Sequence, residues 1–222
     1  VRVLVTHQIQ NPFLPWISQS PAKREGYGIL LDEWRRLHPE TKLLAIEPSA
    51  TLAKECRAKE LEVIEDVAEN VTAWQGCADL VVCFEVLEHV FDPLAFVGTL
   101  VRLARPGGYV FVSTLGVNGF DIQVLWENSK SVTPPHHLNF LNPNSAELLL
   151  KKIGFEVLRH ETPGKLDLDI MINSGDHVKD RFWKNFLNAA DESVKAKWQA
   201  LISETGWSSH MMIVCQKPAG RK

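Results

Sequence analysis

The sequence predicts an α/β protein built on a doubly wound, mostly parallel sheet. Two apolar segments, 43–46 and 79–84, stop abruptly at the acidic residues Glu47 and Glu85. Short apolar segments of this kind are typical of strands buried on both faces, as in a parallel sheet covered by helices. Candidate strands also alternate with candidate helices of about 10–15 residues, which is the pattern of βαβ units.

The composition of the chain narrows the classes of protein to which it can belong. With 222 residues, 45% of them hydrophobic, it can bury one substantial core. The net charge of −3 and the lack of a basic patch argue against nucleic acid as a partner. No apolar run approaches the ~20 residues of a membrane span. The first residues, interrupted by Pro12 and Pro15, lack the layout of a signal peptide.

The cysteines point to a reduced, cytoplasmic protein. They are widely spaced and form no Cys-x-x-Cys pair, which favours core thiols over zinc ligands or disulfides. Their positions are Cys56, Cys77, Cys83 and Cys215.

Six segments are predicted to be strands, because each is a short apolar run bounded by polar or turn residues. They are 42–47, 61–65, 79–84, 109–114, 155–160 and 210–216. The helices predicted between them are 49–58, 92–104 and 144–153. Ser49 is expected to cap the first helix and Asn144 or Ser145 the third. The second helix is expected to end in the turn 106–108, Pro-Gly-Gly.

The segment 176–205 is predicted to be helical and amphipathic, and its large apolar residues are interpreted as packing residues rather than a binding stripe. They are Trp183, Phe186, Leu187, Val194, Trp198 and Leu201. Tryptophans in this part of the chain would permit a homodimer and equally fit a cover for the sheet. The chain is therefore expected to be one domain, 1–222, with insertions at 116–135 and 163–207 that form a substrate lid or a sheet cover.

Several motifs, in order, resemble those of one enzyme family. They are Gly-Tyr-Gly at 26–28, Ile-Glu-Pro-Ser at 46–49, Phe-Glu-Val-Leu-Glu-His-Val at 84–90, Arg-Pro-Gly-Gly-Tyr at 105–109, Pro-His-His-Leu-Asn-Phe at 135–140 and Gly-Phe-Glu-Val at 154–157. Each motif alone is weak, but their order and spacing resemble class I S-adenosylmethionine-dependent methyltransferases. The resemblance implies a seven-stranded Rossmann-like sheet with an antiparallel last strand and S-adenosylmethionine as cofactor.

The resemblance also implies which residues contact the cofactor. Gly26, Tyr27 and Gly28 would approach its amino-acid part, since glycine lets the backbone come close. Glu47, next to Pro48, would accept hydrogen bonds from the ribose hydroxyls; the alternative is a solvated carboxylate at a strand end. The other cofactor contacts implied are Asp66 and Val67 at the adenine, and Phe84 and Glu85 in the cleft.

The segment before Gly26 departs from the family pattern. Residues 18–25 are polar and contain Pro21, so they cannot form a central strand. Three explanations are open: the loop and first strand have degenerated, the strand comes from elsewhere, for instance residues 1–5, or residues are missing before Tyr27. The last explanation is favoured, because the sequence from Tyr27 continues as the family's first helix should.

The catalytic residues implied are histidines, since histidine titrates near neutral pH and a general base is needed when the acceptor must lose a proton. His137 and His89 are the candidates, each with the alternative of a structural role. The proposed substrate contacts are His136, Trp126 and Lys165, with Asp121 and Asp167 as further candidates. The other five histidines, His210 among them, have no motif context.

Glu85, Glu88 and His89 also form a Glu-x-x-Glu-His string that, in the similar ubiquinone-pathway O-methyltransferases, resembles a divalent-metal site. Because the same string occurs in methyltransferases that need no metal, no metal is expected here. The function predicted is methylation of a small molecule at oxygen, with a sugar or small metabolite as acceptor. The alternatives are a catalytically inactive cofactor-binding module or partner subunit and, as the weakest, a nicotinamide-dependent dehydrogenase.

Overall fold

The structure, a computed structural model, describes residues 2–7 and 29–220. The strands are β1 (Arg2–His7), β2 (Lys42–Ile46), β3 (Glu62–Ile64), β4 (Ala78–Phe84), β5 (Ala104–Leu115), β6 (Glu156–Glu161) and β7 (His210–Gln216). The α-helices are α1 (Ile29–Leu37), α2 (Ala50–Ala58), α3 (Pro93–Leu103), α4 (Phe120–Leu125), α5 (Pro143–Lys152), α6 (Asp167–Ser174), α7 (Arg181–Ala189) and α8 (Glu192–Glu204). Within the described residues, short 3₁₀ turns lie at Ala68–Asn70, Trp126–Asn128 and Gly175–His177.

The seven strands form one sheet in the order β3-β2-β1-β4-β5-β7-β6. The pairs β1–β2, β1–β4, β2–β3 and β4–β5 are parallel, whereas β7 is antiparallel to both of its neighbours, β5 and β6. The predicted fold class, a doubly wound, mostly parallel sheet with an antiparallel last strand, is therefore confirmed. The strand order reverses at β1, so a ligand is expected at the carboxyl ends of β1 and its neighbours.

The central strand comes from the start of the chain. β1 pairs in parallel with β2 on one side and β4 on the other, with Val3 opposite both Leu43 and Leu80. The first strand therefore does come from elsewhere, and the favoured explanation, a missing segment, is not required to supply it. Gly26, Tyr27 and Gly28, and with them the continuity of residues 22–29, lie outside the described residues.

Two predicted boundaries are corrected by local chemistry. The cap of α5 is Asn142 rather than Asn144 or Ser145: its side chain accepts from the Ser145 amide, and the Ser145 hydroxyl accepts from the Asn142 amide. Pro143 then occupies the first helical position, where its missing N–H costs nothing. Strand β5 begins at Ala104 and includes the Pro-Gly-Gly turn, because Gly107 adopts a φ of 72° and the register with β4 shifts there.

Apolar residues cover both faces of the sheet. Neighbouring residues of β2 alternate, so Leu44 joins a core with Phe96 and Leu100 of α3, whereas Leu43 joins a second core with Leu31 of α1. This alternation is what a strand buried on both faces requires. It leaves the carboxyl edge of the sheet as the place where polar residues can gather.

A third core holds the helices α4, α6, α7 and α8, here called the satellite helices. Its buried residues are Leu125, Leu168, Met171, Val178, Leu187 and Ile202. Trp183 packs edge-on against both Phe120 of α4 and Trp198 of α8, with ring centroids 4.6 and 5.3 Å apart. A packing role is thus confirmed for most of the predicted residues. The prediction is wrong for Leu201, which is 49% exposed. Within the described residues, no helix is long and apolar enough to cross a bilayer.

Candidate functional site

Glu47 follows β2 directly and is buried at the carboxyl edge of the sheet, with 2% of its surface exposed. Its amide donates to the Ile64 carbonyl at the end of β3, and its Oε1 accepts from the Ser49 amide at 2.8 Å. Burial raises the pKa of Glu47 to about 7, although the bond from Ser49 opposes this. A desolvated carboxylate at this position is a strong acceptor for a ligand that brings its own donors.

A cavity of about 200 Å³ lies at the carboxyl edge of the sheet, between the end of β2, the segment after β3, the turn after β4 and α3, and Glu47 is flanked in sequence by two of its lining residues. It is lined by Ile46, Pro48, Val67, Ala68, Glu69, Val86, His89, Val90, Phe91 and Phe96. Most of these side chains are apolar, which suits a flat heterocycle. The lining includes three residues proposed from the sequence, namely Pro48, Val67 and His89.

Asp66 is exposed, and its Oδ1 is already engaged. It accepts from the Val67 amide at 2.7 Å and from the Asn70 side-chain amide at 2.8 Å. A heterocyclic ligand that binds to both the carboxylate of Asp66 and the amide of Val67 must therefore displace the hydrogen bond between these two groups.

Phe84 and Glu85 separate at the end of β4. The ring of Phe84 packs against Phe111 at 5.3 Å, and so contributes to the core on the α1 and α2 side. Glu85 has a φ of 48°, a conformation uncommon outside glycine. Its amide donates to the Ser113 carbonyl at 3.0 Å, and the Ser113 hydroxyl donates to its Oε1 at 2.6 Å.

Glu88 is a buried acid that the sequence singled out only as a possible metal ligand. It is 1% exposed, and its Oε2 accepts from the Thr114 hydroxyl at 2.8 Å. Burial, reinforced by the charge of Glu85, raises the pKa of Glu88 to about 8. Its backbone carbonyl accepts from the amides of Leu138 and Asn139, so this turn also holds the loop of the two adjacent histidines.

The raised pKa of Glu88 predicts how stability changes with pH. The folded state keeps the proton up to pH of about 8, whereas an unperturbed glutamate has a pKa of 4.5, so this group lowers stability as pH rises through that window. At pH 9, Glu88→Gln, which keeps an acceptor for Thr114, should have a free energy of unfolding in urea that is roughly 1–3 kcal/mol above that of the wild type. The two should be nearly equal at pH 5. Glu156→Gln, at an exposed site, is the control; an equal gain there would contradict the explanation.

The histidines of the two motifs come together. The rings of His89 and His137 lie 4.7 Å apart. Nδ1 of His89 lies 2.8 Å from the His136 carbonyl, and Nδ1 of His137 lies 2.7 Å from the Ser131 carbonyl. Burial lowers the pKa of His89. These bonds tie loop 131–140 to the turn after β4, and Asn139 adds to them by donating to the carbonyls of Leu87 and Val90.

Trp126 and Lys165 lie with the satellite helices. Trp126 ends α4 with a φ of 47° and is 59% exposed, and Lys165 is exposed just before α6. Both stay predictions as acceptor contacts, as does His136.

Asp121 and Asp167 are corrected from acceptor contacts to interior residues. Asp167 is 1% exposed and accepts from Ser208, the Ser209 amide and Gln199, which anchors α6 to α8 and the start of β7. Asp121 is fully buried, and neither of its oxygens has a hydrogen-bond partner. Burial, with the charge of Asp167, raises its pKa to about 6. Sequence spacing could not show that both side chains point inward.

Within residues 2–7 and 29–220, no group of three or more His, Cys, Asp or Glu side chains could hold a metal ion. Glu85 and Glu88 instead take their partners from β5, through Ser113 and Thr114 respectively. The arrangement as described is suited to an organic ligand with hydroxyl donors and a flat ring.

Comparisons with known proteins agree with this geometry. The family model described as "Methyltransferase domain" matches residues 25–160, more than half of the chain. A ubiquinone biosynthesis O-methyltransferase from Albidiferax ferrireducens is 35% identical over 123 residues, covering 49% of this chain and 49% of that protein. Another from Cupriavidus pinatubonensis is 36% identical over 98 residues, covering 42% and 39%. The chain thus spans less than half the length of these relatives.

Among solved structures, phosphoethanolamine N-methyltransferase 2 from Haemonchus contortus in complex with S-adenosyl-L-methionine aligns with a TM-score of 0.62. The alignment covers 98% of this chain and 48% of that one at 15% identity, so the likeness concerns the fold.

Proposed function

The chain belongs to the methyltransferase-domain family, the class I S-adenosylmethionine-dependent methyltransferases, and from this premise we propose that it transfers a methyl group to a hydroxyl of a small molecule. The observation that carries the proposal is the buried carboxylate of Glu47, whose chain neighbours Ile46 and Pro48 line a cavity with mostly apolar side chains. S-adenosylmethionine fits this pair, since its ribose brings two hydroxyl donors and its adenine is a flat heterocycle. Its sulfonium also suits an edge that carries the carboxylates of Glu47 and Glu85.

The residues proposed to hold the cofactor divide by position. Glu47 would bind the ribose, Pro48 and Val67 would flank the adenine, and Asp66 would turn from the Val67 amide towards the exocyclic amine. Gly26, Tyr27, Gly28, Phe84 and Glu85 complete the set proposed from the sequence. The cofactor supplies a methyl group already activated by positive sulfur, so much of the rate can come from holding an acceptor in line.

The acceptor is proposed to be a small hydroxylated compound, either a phenol or a sugar. The curated relatives are named O-methyltransferases, which favours oxygen as the acceptor atom. The insertions at 116–135 and 163–207, which hold most of the satellite helices, are proposed to wall the acceptor side of the site. A soluble cytoplasmic location and a homodimer stay predictions.

A second candidate function is a cofactor-binding module without catalysis. It is favoured by the polar segment 18–25, which in sequence separates β1 from the glycines that the family pattern places directly after the strand. The two functions differ in turnover rather than in cofactor binding.

Calorimetric titration with S-adenosylmethionine and S-adenosylhomocysteine tests cofactor binding, and release of S-adenosylhomocysteine tests turnover. Catechol and methyl glucoside serve as the phenolic and sugar probes. We expect binding of both nucleosides in the micromolar range, about −8 kcal/mol, and turnover with one probe. Binding without turnover of either would favour the inactive module, and absence of binding would overturn both functions.

A further inference from the structure

A histidine without motif context lies at the edge of the site. His210 is the first residue of β7, and in the antiparallel register with β5 it stands opposite Leu115, while Met212 stands opposite Ser113. Strand β5 also pairs with β4, where Ser113 stands opposite Phe84. The sheet thus brings His210 across the end of β5 to Glu85, although the two residues are far apart in sequence.

Contacts around Glu85 hold a carboxylate against the ring of His210. Oε1 of Glu85 lies 3.4 Å from Nδ1 of His210 and accepts the Ser113 hydroxyl at 2.6 Å. The backbone of Glu85 is fixed by the hydrogen bond that its amide donates to the Ser113 carbonyl. A carboxylate at Nδ1 selects the tautomer in which Nδ1 carries the proton and Nε2 is free to accept one, as in other carboxylate–histidine pairs. The side chain of His210 is 39% exposed, so the ring can be reached from solvent.

We propose that His210 is the base that takes the proton of the acceptor hydroxyl, with Glu85 as its positioning residue; this rests on the proposed function. Nε2 removes the proton as the hydroxyl oxygen forms its bond to the methyl carbon of S-adenosylmethionine. The carbon–sulfur bond breaks and its electron pair stays on sulfur, which leaves S-adenosylhomocysteine. The resulting imidazolium is stabilised by the carboxylate of Glu85 beside it.

The place of His210 along the sheet edge supports this role. The cavity is lined by the end of β2, the segment after β3, the turn after β4 and α3, and His210 lies outside that lining, so the acceptor is expected on the side of the edge near β5 and β7. His89 lines the cavity itself, and its Nδ1 is bonded to a main-chain carbonyl, as is that of His137. Those two histidines bond to carbonyls of a loop, whereas Nδ1 of His210 faces the carboxylate of Glu85 at 3.4 Å. The other titratable groups close to Glu85 include Glu88, whose raised pKa leaves it protonated at neutral pH, and His89, whose pKa is lowered by burial.

The first test needs no turnover. Long-range ¹H–¹⁵N spectra of the full chain labelled at histidine distinguish a protonated from a bare ring nitrogen, and His210→Gln assigns the signals. We expect His210 to carry its proton on Nδ1 in the wild type and to lose this preference in Glu85→Gln. A wild-type ring protonated on Nε2, or a preference unchanged in Glu85→Gln, would overturn the role of Glu85.

The second test compares acceptors of different acidity at pH 8. We expect His210→Gln to lower kcat with catechol about 100-fold and to change it little with 4-nitrocatechol, whose hydroxyl is already ionised. Calorimetric affinity for S-adenosylhomocysteine should be unchanged. His38→Gln, on the exposed end of α1, is the control. Provided that the wild type turns over catechol, two results would overturn this proposal alone. One is an equal loss of kcat with both acceptors in His210→Gln, and the other is no loss of kcat with catechol. A wild type that binds neither nucleoside and methylates neither acceptor would overturn the proposed function, and the proposal with it.

Discussion

Glu47→Ala is expected to weaken binding of S-adenosylmethionine about 100-fold, close to 2.7 kcal/mol. The carboxylate is buried, so water does not compete for it, and hydrogen bonds to a charged group contribute roughly 1.5–3 kcal/mol each. The Ser49 amide occupies Oε1 and fixes the orientation of the carboxylate before the ligand arrives. Alanine removes both the acceptor and this preorganisation. Isothermal titration calorimetry measures the change directly.

The same residue predicts that affinity depends on pH. The pKa of Glu47 is raised to about 7, so below this pH the apo protein must release a proton before the carboxylate can accept two hydroxyls. Affinity should therefore rise between pH 6 and pH 8, and binding at pH 6 should release a proton. Titrations in buffers of different ionisation enthalpy detect that proton. Glu47→Ala should lose the pH dependence together with the affinity.

Glu47 also predicts a conflict between binding and stability. The folded state holds the proton up to pH of about 7, whereas an unperturbed glutamate has a pKa of 4.5, so this group lowers stability as pH rises between these two values. Glu47→Gln should then be more stable than the wild type at pH 8, by up to about 3 kcal/mol, while binding the cofactor less well. Glu62→Ala, at the exposed start of β3, is the matched control. A loss of cofactor affinity in Glu62→Ala, or an unchanged affinity in Glu47→Ala, would contradict the role of Glu47 in cofactor binding.

Gly119→Ala is expected to destabilise the protein by roughly 3 kcal/mol, because overpacking against backbone cannot be relieved by a side-chain rotation. A Cβ built on Gly119 overlaps both Cα and Cβ of Ser209 and lies 2.8 Å from its amide nitrogen. The loop before α4 and the start of β7 must separate to accept it. That movement would break the bond from the Ser209 amide to Asp167, which anchors the satellite helices. Urea unfolding measures the loss.

The matched control is Gly98→Ala in the interior of α3. A Cβ there meets nothing closer than the guanidinium of Arg102 at 3.9 Å. Alanine is favoured over glycine in a helix, so this substitution should stabilise the protein by about 0.5–1 kcal/mol. A loss at Gly98 equal to that at Gly119 would show that the effect is not one of close approach. Because the clash also displaces α4, the Gly119 variant should lose acceptor turnover more than cofactor affinity.

Short-range pattern was enough to predict most of the sheet. The segments ending at Glu47 and Glu85 are apolar for their whole length because strands in a covered parallel sheet are buried on both faces. Parallel strands end at one edge, so residues that follow different strands converge there without any knowledge of the packing. This is why Pro48 and Val67, from the ends of β2 and β3, could be predicted to share a site and do line one cavity.

The first strand was misjudged for a reason that is also local. The family pattern places it directly before the glycines, and the polar segment 18–25 fails that pattern. Arg2–His7 carries an ordinary apolar pattern, but only pairing with both β2 and β4 makes it the central strand. Likewise, Asn142 caps α5 because its side chain accepts from the Ser145 amide and the Ser145 side chain accepts from the Asn142 amide. This arrangement depends on the path of the preceding loop.

What the sequence by itself determined is the alternation of strands and helices, the family motifs and the acids at the strand ends, since all of these depend on neighbours along the chain. The tertiary structure alone decided which of those acids are desolvated, that Asp121 and Asp167 point into the interior, and that His210 meets Glu85. Burial and an antiparallel register across β5 join residues that are distant in sequence. Hydrogen-bond geometry and desolvation act over a few ångströms of space, and no spacing along the chain encodes them.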